Sequence, residues 1–162
     1  AGAPASVRIN VSINAAGTVE WDVYTLGKRP TRLAESIFFT FSPVADVEQW
    51  RAVSLNSTLD PRDVFGKNGT VYGGSPHLRG VERVKGAGVA GTFEIESLDV
   101  PIVCNGKPTP FPTPRNAAPD MTFGVSYNIF QNIWNTNYVL WYPFLEDDNV
   151  TRSRFLFKPK RI

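Results

Sequence analysis

Three carboxylates near the middle of the chain have the residue types and the spacing of a hydrolytic pair. Glu94 and Glu96 are two residues apart in a predicted strand, and Asp99 follows closely. Glycoside hydrolysis uses two carboxyl groups about 5 to 9.5 Å apart, and residues i and i+2 of a strand lie about 6.5–7 Å apart. Any solvated strand face carries the same pattern. We therefore interpret these residues as surface charges and predict that the chain has no catalytic residue and is not an enzyme.

Two further motifs lack the surroundings that their chemistry requires. His77, the only imidazole, would need a nucleophile to activate, but the chain has no G-x-S-x-G motif. A G-x-G-x-x-G motif at 86–91 is followed by the strand pattern of 92–96, whereas a dinucleotide site requires a helix to begin there. We interpret His77 as a structural or surface residue and the glycines as a hairpin loop.

Composition and spacing argue against metal and thiol chemistry. With one histidine and one cysteine, the chain lacks the ligands of the usual zinc sites. The acidic turn at 146–149 lacks the D-x-D-x-D-G spacing of a calcium loop, and we interpret it as a solvated turn. Cys104 ends an apolar run that begins at Val100, which favours a buried structural thiol. We expect no metal and no cofactor.

Length, charge and hydropathy limit the partners. A chain of 162 residues is enough for one domain, and its net charge of +2 gives no strong attraction to nucleic acid or to an anionic membrane. Basic residues at 152–161 alternate with Phe155 and Phe157, a weak resemblance to a nucleic-acid surface. No apolar run approaches 18 residues. We expect no nucleic-acid partner and no membrane span.

Hydrophobic and polar residues alternate along most of the chain, with the period of β-strands. Near the N-terminus Val7, Ile9, Val11 and Ile13 alternate with polar residues, which predicts a half-buried strand. Glycine and proline turns separate further runs of the same kind, and short strands at this spacing predict an all-β fold, a β-sandwich with few or no helices. The other predicted strands are 19–25, 35–42, 93–97, 121–130, 138–142 and 153–158, with single helical turns at 45–50 and 61–65.

Four glycosylation sequons and the first residues of the chain indicate a secreted protein. Asn10, Asn56, Asn68 and Asn149 each begin an Asn-x-Ser/Thr motif, and none of the motifs has proline in the middle position. The chain begins with small residues, as expected just after a signal-peptidase cut. We therefore predict an extracellular glycoprotein that carries glycans on these asparagines.

Two segments leave alternatives open. Trp134, Tyr138, Trp141 and Tyr142 either belong to the core or form an exposed platform on which a carbohydrate ligand stacks. The alternating prolines of 107–119 favour an extended backbone. Such a segment suits an ordered loop that crosses between sheets, a recognition segment or an O-glycosylated stalk.

An N-x-W-x-T-N motif lies at Asn132, Trp134, Thr136 and Asn137. It resembles a stretch in the C-terminal β domain of α-mannosidase-like glycoside hydrolases and of a related domain family of unknown function. The resemblance implies a β-sandwich of the supersandwich type. In those enzymes the metal and the catalytic carboxylates lie in a separate N-terminal domain, so no catalytic residue carries over. The segments 35–43, 59–63, 96–101 and 154–157 fit the same pattern.

The predicted strand at 6–14 precedes the region of this resemblance. We therefore divide the chain into an N-terminal strand extension at 1–16, a candidate strand donor, and a single β-sandwich domain at 17–162. Strand addition through the apolar residues of this extension would join copies head to tail, and such contacts form open filaments. We predict a non-enzymatic structural subunit of an extracellular filament whose partners are copies of itself. The alternative is a carbohydrate-binding or accessory β domain of a larger glycoside hydrolase.

Overall fold

The computed structural model describes residues 2–29, 31, 35–43, 46–55, 57–64, 78–109, 118–132 and 149–160. Within these ranges the chain forms eleven strands and two 3₁₀ helices, at Pro61–Val64 and Met121–Phe123. The strands are β1 (Ser6–Ile13), β2 (Val19–Leu26), β3 (Glu35–Phe41), β4 (Gln49–Ser54), β5 (Ser57–Leu59), β6 (Leu78–Gly80), β7 (Arg83–Gly88), β8 (Gly91–Ser97), β9 (Ile102–Asn105), β10 (Val125–Asn132) and β11 (Val150–Lys160).

The strands form two sheets that pack face to face. The larger sheet has the order β1-β2-β11-β8-β7-β4-β5, and the smaller sheet has the order β3-β10-β9-β6. All neighbouring strands are antiparallel. The predicted all-β sandwich is confirmed, and the N-terminal strand is the edge strand of the larger sheet.

Aromatic rings from both sheets fill the middle of the sandwich, because alternation turns every second side chain inward. Phe155 of β11 stacks on Phe39 of β3 with ring centres 5.2 Å apart, and the ring of Tyr127 on β10 lies 4.9 Å from that of Phe155. Farther across the larger sheet, Trp50 contacts Phe93 at 5.7 Å. The fully buried aliphatic residues around these rings are Val23, Ala52, Val84, Ile95, Val103 and Val125.

β1 and β2 form a hairpin with an unbroken register of eight residue pairs. The turn between them is held by Asn14, whose Oδ1 accepts hydrogen bonds from the backbone N–H groups of Ala16 at 3.0 Å and Thr18 at 3.1 Å. Gly17 has a φ of 77°, in the left-handed region that glycine adopts without strain. The N-terminal strand is therefore held along one edge by its own chain.

The predicted half-burial of the N-terminal strand is wrong. The alternation of Val7, Ile9, Val11 and Ile13 correctly indicates a strand, but every residue of β1 is exposed. The smaller sheet ends at β3 and does not reach β1. Neither face of β1 is covered, because its apolar side chains face a region where the described part of the chain provides no second layer.

Of the two helical turns predicted from the sequence, one is confirmed and one is wrong. The helical turn at 61–65 is confirmed as the 3₁₀ helix at Pro61–Val64, whereas the turn at 45–50 is wrong, because β4 begins at Gln49. The segment 138–142, like 110–117 of the proline-rich segment, lies outside the described residues. None of the helices in the described ranges is long and apolar enough to cross a membrane.

Candidate assembly surface

Four aliphatic side chains form a row on one face of β1. Their exposed fractions are 53% for Val7, 46% for Ile9, 51% for Val11 and 71% for Ile13. Side chains two residues apart on a strand point to the same face, so these four residues, here called the β1 stripe, are contiguous. Contiguous exposed apolar patches on a protein surface often mark interaction sites.

The β1 stripe extends the core face of the larger sheet. Val11 lies opposite Trp21 and Ile9 opposite Val23 in the β1–β2 register, and residues directly opposite each other point to the same face. On β2 this face is core: Val23 is fully buried, and the ring of Trp21 lies 5.8 Å from that of Phe39 on the smaller sheet. The same face therefore continues from the core on β2 into solvent on β1.

The stripe is uncovered because the smaller sheet is narrower on this side. Its edge strand β3 packs over β2 and β11, since Phe39 contacts both Trp21 and Phe155. The larger sheet extends beyond β3 by roughly the spacing of one strand, about 5 Å. We call the space bounded by the β1 stripe and the outer edge of β3 the notch.

β3 runs in the same direction as β1 along the notch. At one end, Lys28, just after β2, forms an ion pair with Glu35, the first residue of β3. At the other end, the ring of Trp21 packs edge-on against that of Phe41, the last residue of β3. β3 is therefore antiparallel to β2 in the facing layer, and β2 is antiparallel to β1.

A buried ion pair lies at the first end of the notch. Lys28 is 1% exposed, and its ammonium group lies 4.3 Å from the centre of the Phe130 ring as well as against Glu35. Burial raises the pKa of Glu35, but hydrogen bonds from Lys28 and Thr31 outweigh it and leave this pKa below its ordinary value. Gly2 lies against Glu35, so the residues before β1 cross to the smaller sheet at this end.

The two long edge strands of the sandwich lie on the same side. β1 has eight residues and β3 has seven, whereas the edge strands of the other side, β5 and β6, have three each. Natural edge strands are commonly protected by short length, proline, lysine or a bulge. β1 is long, contains no proline or lysine and keeps an unbroken register with β2, and the charge of Arg8 is its one protective feature of this kind.

An apolar cavity of about 690 Å³ opens between the sheets near the other end of the notch. Val19 and Trp21 belong to its lining and lie opposite Ile13 and Val11, so the β1 stripe leads toward it. The sequence pattern did not indicate this cavity, because residues from both sheets form it. Its aromatic lining consists of Trp21, Phe41, Phe93 and Phe157.

Two of the four predicted glycosylation sites lie within the described residues. Asn10 is exposed on the face of β1 that points away from the stripe, opposite Asp22. Asn149 is half-buried, and its backbone carbonyl accepts a hydrogen bond from the N–H of Lys28 at 3.1 Å. Asn10 is the more accessible of the two. Asn56 and Asn68 lie outside the described residues.

The three carboxylates considered for hydrolysis are ion-paired on the larger sheet. Lys158 of β11 lies 2.5 Å from Glu96 and 3.6 Å from Glu94, and Arg154 lies 2.8 Å from Asp99. The hydrogen bond from Arg154 lowers the pKa of Asp99, so this carboxyl group is ionised at neutral pH. Catalytic acids need the opposite shift. This arrangement is that of surface ion pairs.

The other residues singled out in the sequence are placed as follows. Cys104 is fully buried on β9, as predicted. The glycine motif at 86–91 does lie at the hairpin between β7 and β8, but only residues 89 and 90 form the loop, because Gly86 and Gly88 belong to β7 and Gly91 to β8. The described residues contain no cluster of three or more side chains that could hold a metal ion. His77, the acidic residues 146–148 and the aromatic residues Trp134, Tyr138, Trp141 and Tyr142 lie outside the described residues.

Comparison with known proteins assigns no family to the chain. No protein-family model, no curated protein and no solved structure matches it at a significant level. None of these comparisons links the chain to the C-terminal β domain of α-mannosidase-like enzymes, and that resemblance stays a prediction.

Proposed function

We propose that this protein is a non-enzymatic structural subunit that associates with further copies of itself through the β1 stripe. The observation that carries the proposal is the exposure of four aliphatic side chains in a row on an unprotected edge strand. Because β2 already holds β1 along one edge, association uses the free face and free edge of β1 while the strand stays in its own sheet. An extracellular location and a glycan on Asn10 belong to the same proposal, since Asn10 points away from the stripe.

The exposed area favours a partner that brings an apolar surface of its own. From their exposed fractions, the four side chains present roughly 400 Å² of surface, or about 10 kcal/mol at 25 cal/mol per Å². Association costs about 4–15 kcal/mol in lost translational and rotational freedom. Burial of one stripe therefore only balances this cost, whereas two stripes buried against each other exceed it. A second copy of the chain supplies that second stripe.

A head-to-tail filament and a carbohydrate-binding module are the two other proposals for this chain. A head-to-tail filament is one architecture for a subunit that associates through β1, and a closed oligomer is another. The carbohydrate-binding alternative depends on Trp134, Tyr138, Trp141 and Tyr142, which lie outside the described residues. The described part of the chain offers no contact in its favour.

Sedimentation velocity on protein produced without glycans tests the proposal. We expect the unmodified chain to associate as its concentration rises. Ile9→Asp and Val11→Asp place a charge in the apolar contact, so each should weaken association about 100-fold or more. Val89→Asp makes the same kind of change at an exposed aliphatic residue of the β7–β8 turn, away from β1, and should leave association unchanged. Circular dichroism checks that all three variants keep the fold.

Two results would contradict the proposal. One is an unmodified chain that stays monomeric at every concentration. The other is association that survives both Ile9→Asp and Val11→Asp with the fold intact, because the contact would then lie elsewhere on the molecule.

A further inference from the structure

We infer that the notch of each copy receives the β1 strand of a second copy, so that two chains form a closed two-fold dimer. In this dimer β1 of one copy pairs with the outer edge of β3 of the other, and the two β1 stripes face each other. The inference rests on the proposed function, because it specifies what covers the β1 stripe.

The width of the notch fits one added strand. β3 packs over β2 and β11, so in the described part of the chain the strand position beside β3, opposite β1, is empty beyond Gly2, which lies against Glu35 at one end. A strand at this position would extend the smaller sheet at the ordinary spacing of about 4.8 Å. Its inward face would then cover the β1 stripe, and its backbone would pair with the outer edge of β3.

The location of the two long edges makes the dimer closed. β1 and β3 lie on the same side of the sandwich, and the edges on the other side, β5 and β6, are only three residues long. A head-to-tail filament would need a complementary surface on that other side. When both copies use the same side, the interface is isologous and association stops at two chains.

The strand directions determine how the two copies are related. A two-fold axis parallel to the strands exchanges the two layers of the sandwich and keeps the strand direction. The β1 strand of the second copy then lies in the layer of the smaller sheet, next to β3 of the first copy. Because β1 and β3 run in the same direction within one chain, this new pair is parallel. Each larger sheet continues into the smaller sheet of the other copy.

The surfaces that meet in this dimer are compatible in charge and in size. The β1 stripe is uncharged, and β3 carries no charge after Glu35, which is already paired with Lys28 at the end of the notch. Two identical surfaces therefore meet without repulsion. A stable interface buries about 800 Å² on each partner. The stripe supplies roughly half of that area, and pairing of β1 with β3 would bury further surface along both edges.

Cross-linking between two different single-cysteine variants tests the pairing. Thr40→Cys places a thiol on the outward face of β3, and Asn10→Cys or Ser12→Cys places one on the outward face of β1. Each chain gains only one thiol, and the native Cys104 is fully buried, so a mixed disulfide reports contact between copies. Neighbouring strands bring Cα atoms within the 4.4–6.8 Å that a disulfide needs.

The matched control uses the opposite side of the sandwich. Thr58→Cys places a thiol on exposed β5, which a head-to-tail filament would bring next to β1. We expect the β1 variants to form at least tenfold more mixed disulfide with Thr40→Cys than with Thr58→Cys. We also expect the associated species to have twice the chain mass of 17.9 kDa. The cross-link should disappear when Val11→Asp is added.

The outcomes separate this inference from the proposed function. Stripe-dependent association that grows beyond two chains, or that cross-links β1 to β5, overturns the two-fold dimer and leaves the proposed function standing. Stripe-dependent dimers in which neither β1 thiol cross-links to Thr40→Cys also overturn the pairing with β3. An unmodified chain that does not associate overturns both.

Discussion

The hydroxyl of Tyr127 is buried in the aromatic core without a hydrogen-bond partner among the residues that the structure describes. Its ring packs against Phe41 and Phe155, which offer no acceptor. Burial raises the pKa of Tyr127 above its ordinary value of 10.0, so the phenol stays neutral over the physiological range. A buried hydroxyl without a partner costs about 1–3 kcal/mol, so this atom destabilises the fold.

The substitution Tyr127→Phe should therefore raise the free energy of unfolding by about 1 kcal/mol. Tyr24→Phe is the matched control, because the hydroxyl of Tyr24 donates a hydrogen bond to Asp22 at 3.1 Å. The same chemical change there should lower the free energy of unfolding by about 1 kcal/mol. Urea unfolding of both variants measures the two effects. A larger loss for Tyr127→Phe than for Tyr24→Phe would contradict this assignment.

At the scale of elements, the period of two identifies which side chains share a face but not what covers that face. The alternation of Val7, Ile9, Val11 and Ile13 predicts β1, and its apolar side does continue the core face of β2. Whether that side is buried depends on the width of the facing sheet. Strand order sets this width, and a single sequence does not reveal it. The β1 stripe could therefore be predicted, whereas the notch beside β3 could not.

β7 shows why other strands were missed. Its segment 83–88 ends in Gly-Ala-Gly, a composition typical of a loop, and the sequence predicted no strand there. The structure places Gly86 on β7 directly opposite Phe93 of β8, whose ring occupies the space that a Cβ atom of residue 86 would need. The ring of Phe93 packs over Gly86 from the neighbouring strand. The local sequence of β7 does not reveal this contact, so it could not predict the strand.

Two glycines with a positive φ differ in what a side chain would meet at each position. Gly124, just before β10, has a φ of 74°, and a Cβ atom there would overlap the backbone carbonyl oxygen of Phe41. Gly17 in the β1–β2 turn has a φ of 77° and no atom within 4 Å of that position. Gly17→Ala should cost about 1 kcal/mol from backbone strain. Gly124→Ala should cost about 3 kcal/mol or more, because its ψ of −141° is unfavourable for alanine and the Cβ atom would also overlap Phe41. Chemical denaturation measures the loss of stability in both variants. Equal losses would contradict the close approach of Phe41 on β3 to Gly124.

At the scale of the whole molecule, the two faces of the larger sheet differ in chemistry. The inner face is mainly apolar, and the outer face carries ion pairs: Arg152 of β11 with Asp22 of β2 at 2.7 Å, and Arg154 of β11 with Asp99, in the loop after β8, at 2.8 Å. These ion pairs form within one chain. The exposed apolar surface of β1 belongs to the inner face of this sheet. The surface proposed for assembly and the ion pairs therefore lie on opposite faces of the larger sheet.

The outer ion pairs predict how stability depends on pH. Hydrogen bonds from Arg152 and Arg154 lower the pKa values of Asp22 and Asp99 below their ordinary value of 3.8. The folded state then binds protons less tightly than the unfolded chain, so this stabilisation is complete above the ordinary value and is lost as the pH falls below it, through the lowered pKa of the folded state. The free energy of unfolding should therefore be nearly flat from pH 7 to pH 5 and decrease toward pH 2.

A double-mutant cycle identifies the source of this acid sensitivity. Asp99→Asn should lower stability at pH 7 and reduce the loss between pH 5 and pH 2, since one proton-linked carboxylate is gone. In an Arg154→Gln background the same substitution should have a smaller effect at pH 7, because its partner is already absent. Urea unfolding at each pH supplies the free energies. An Asp99→Asn effect that is equal in both backgrounds would show that the ion pair does not couple the loop after β8 to β11 and that another group causes the acid response.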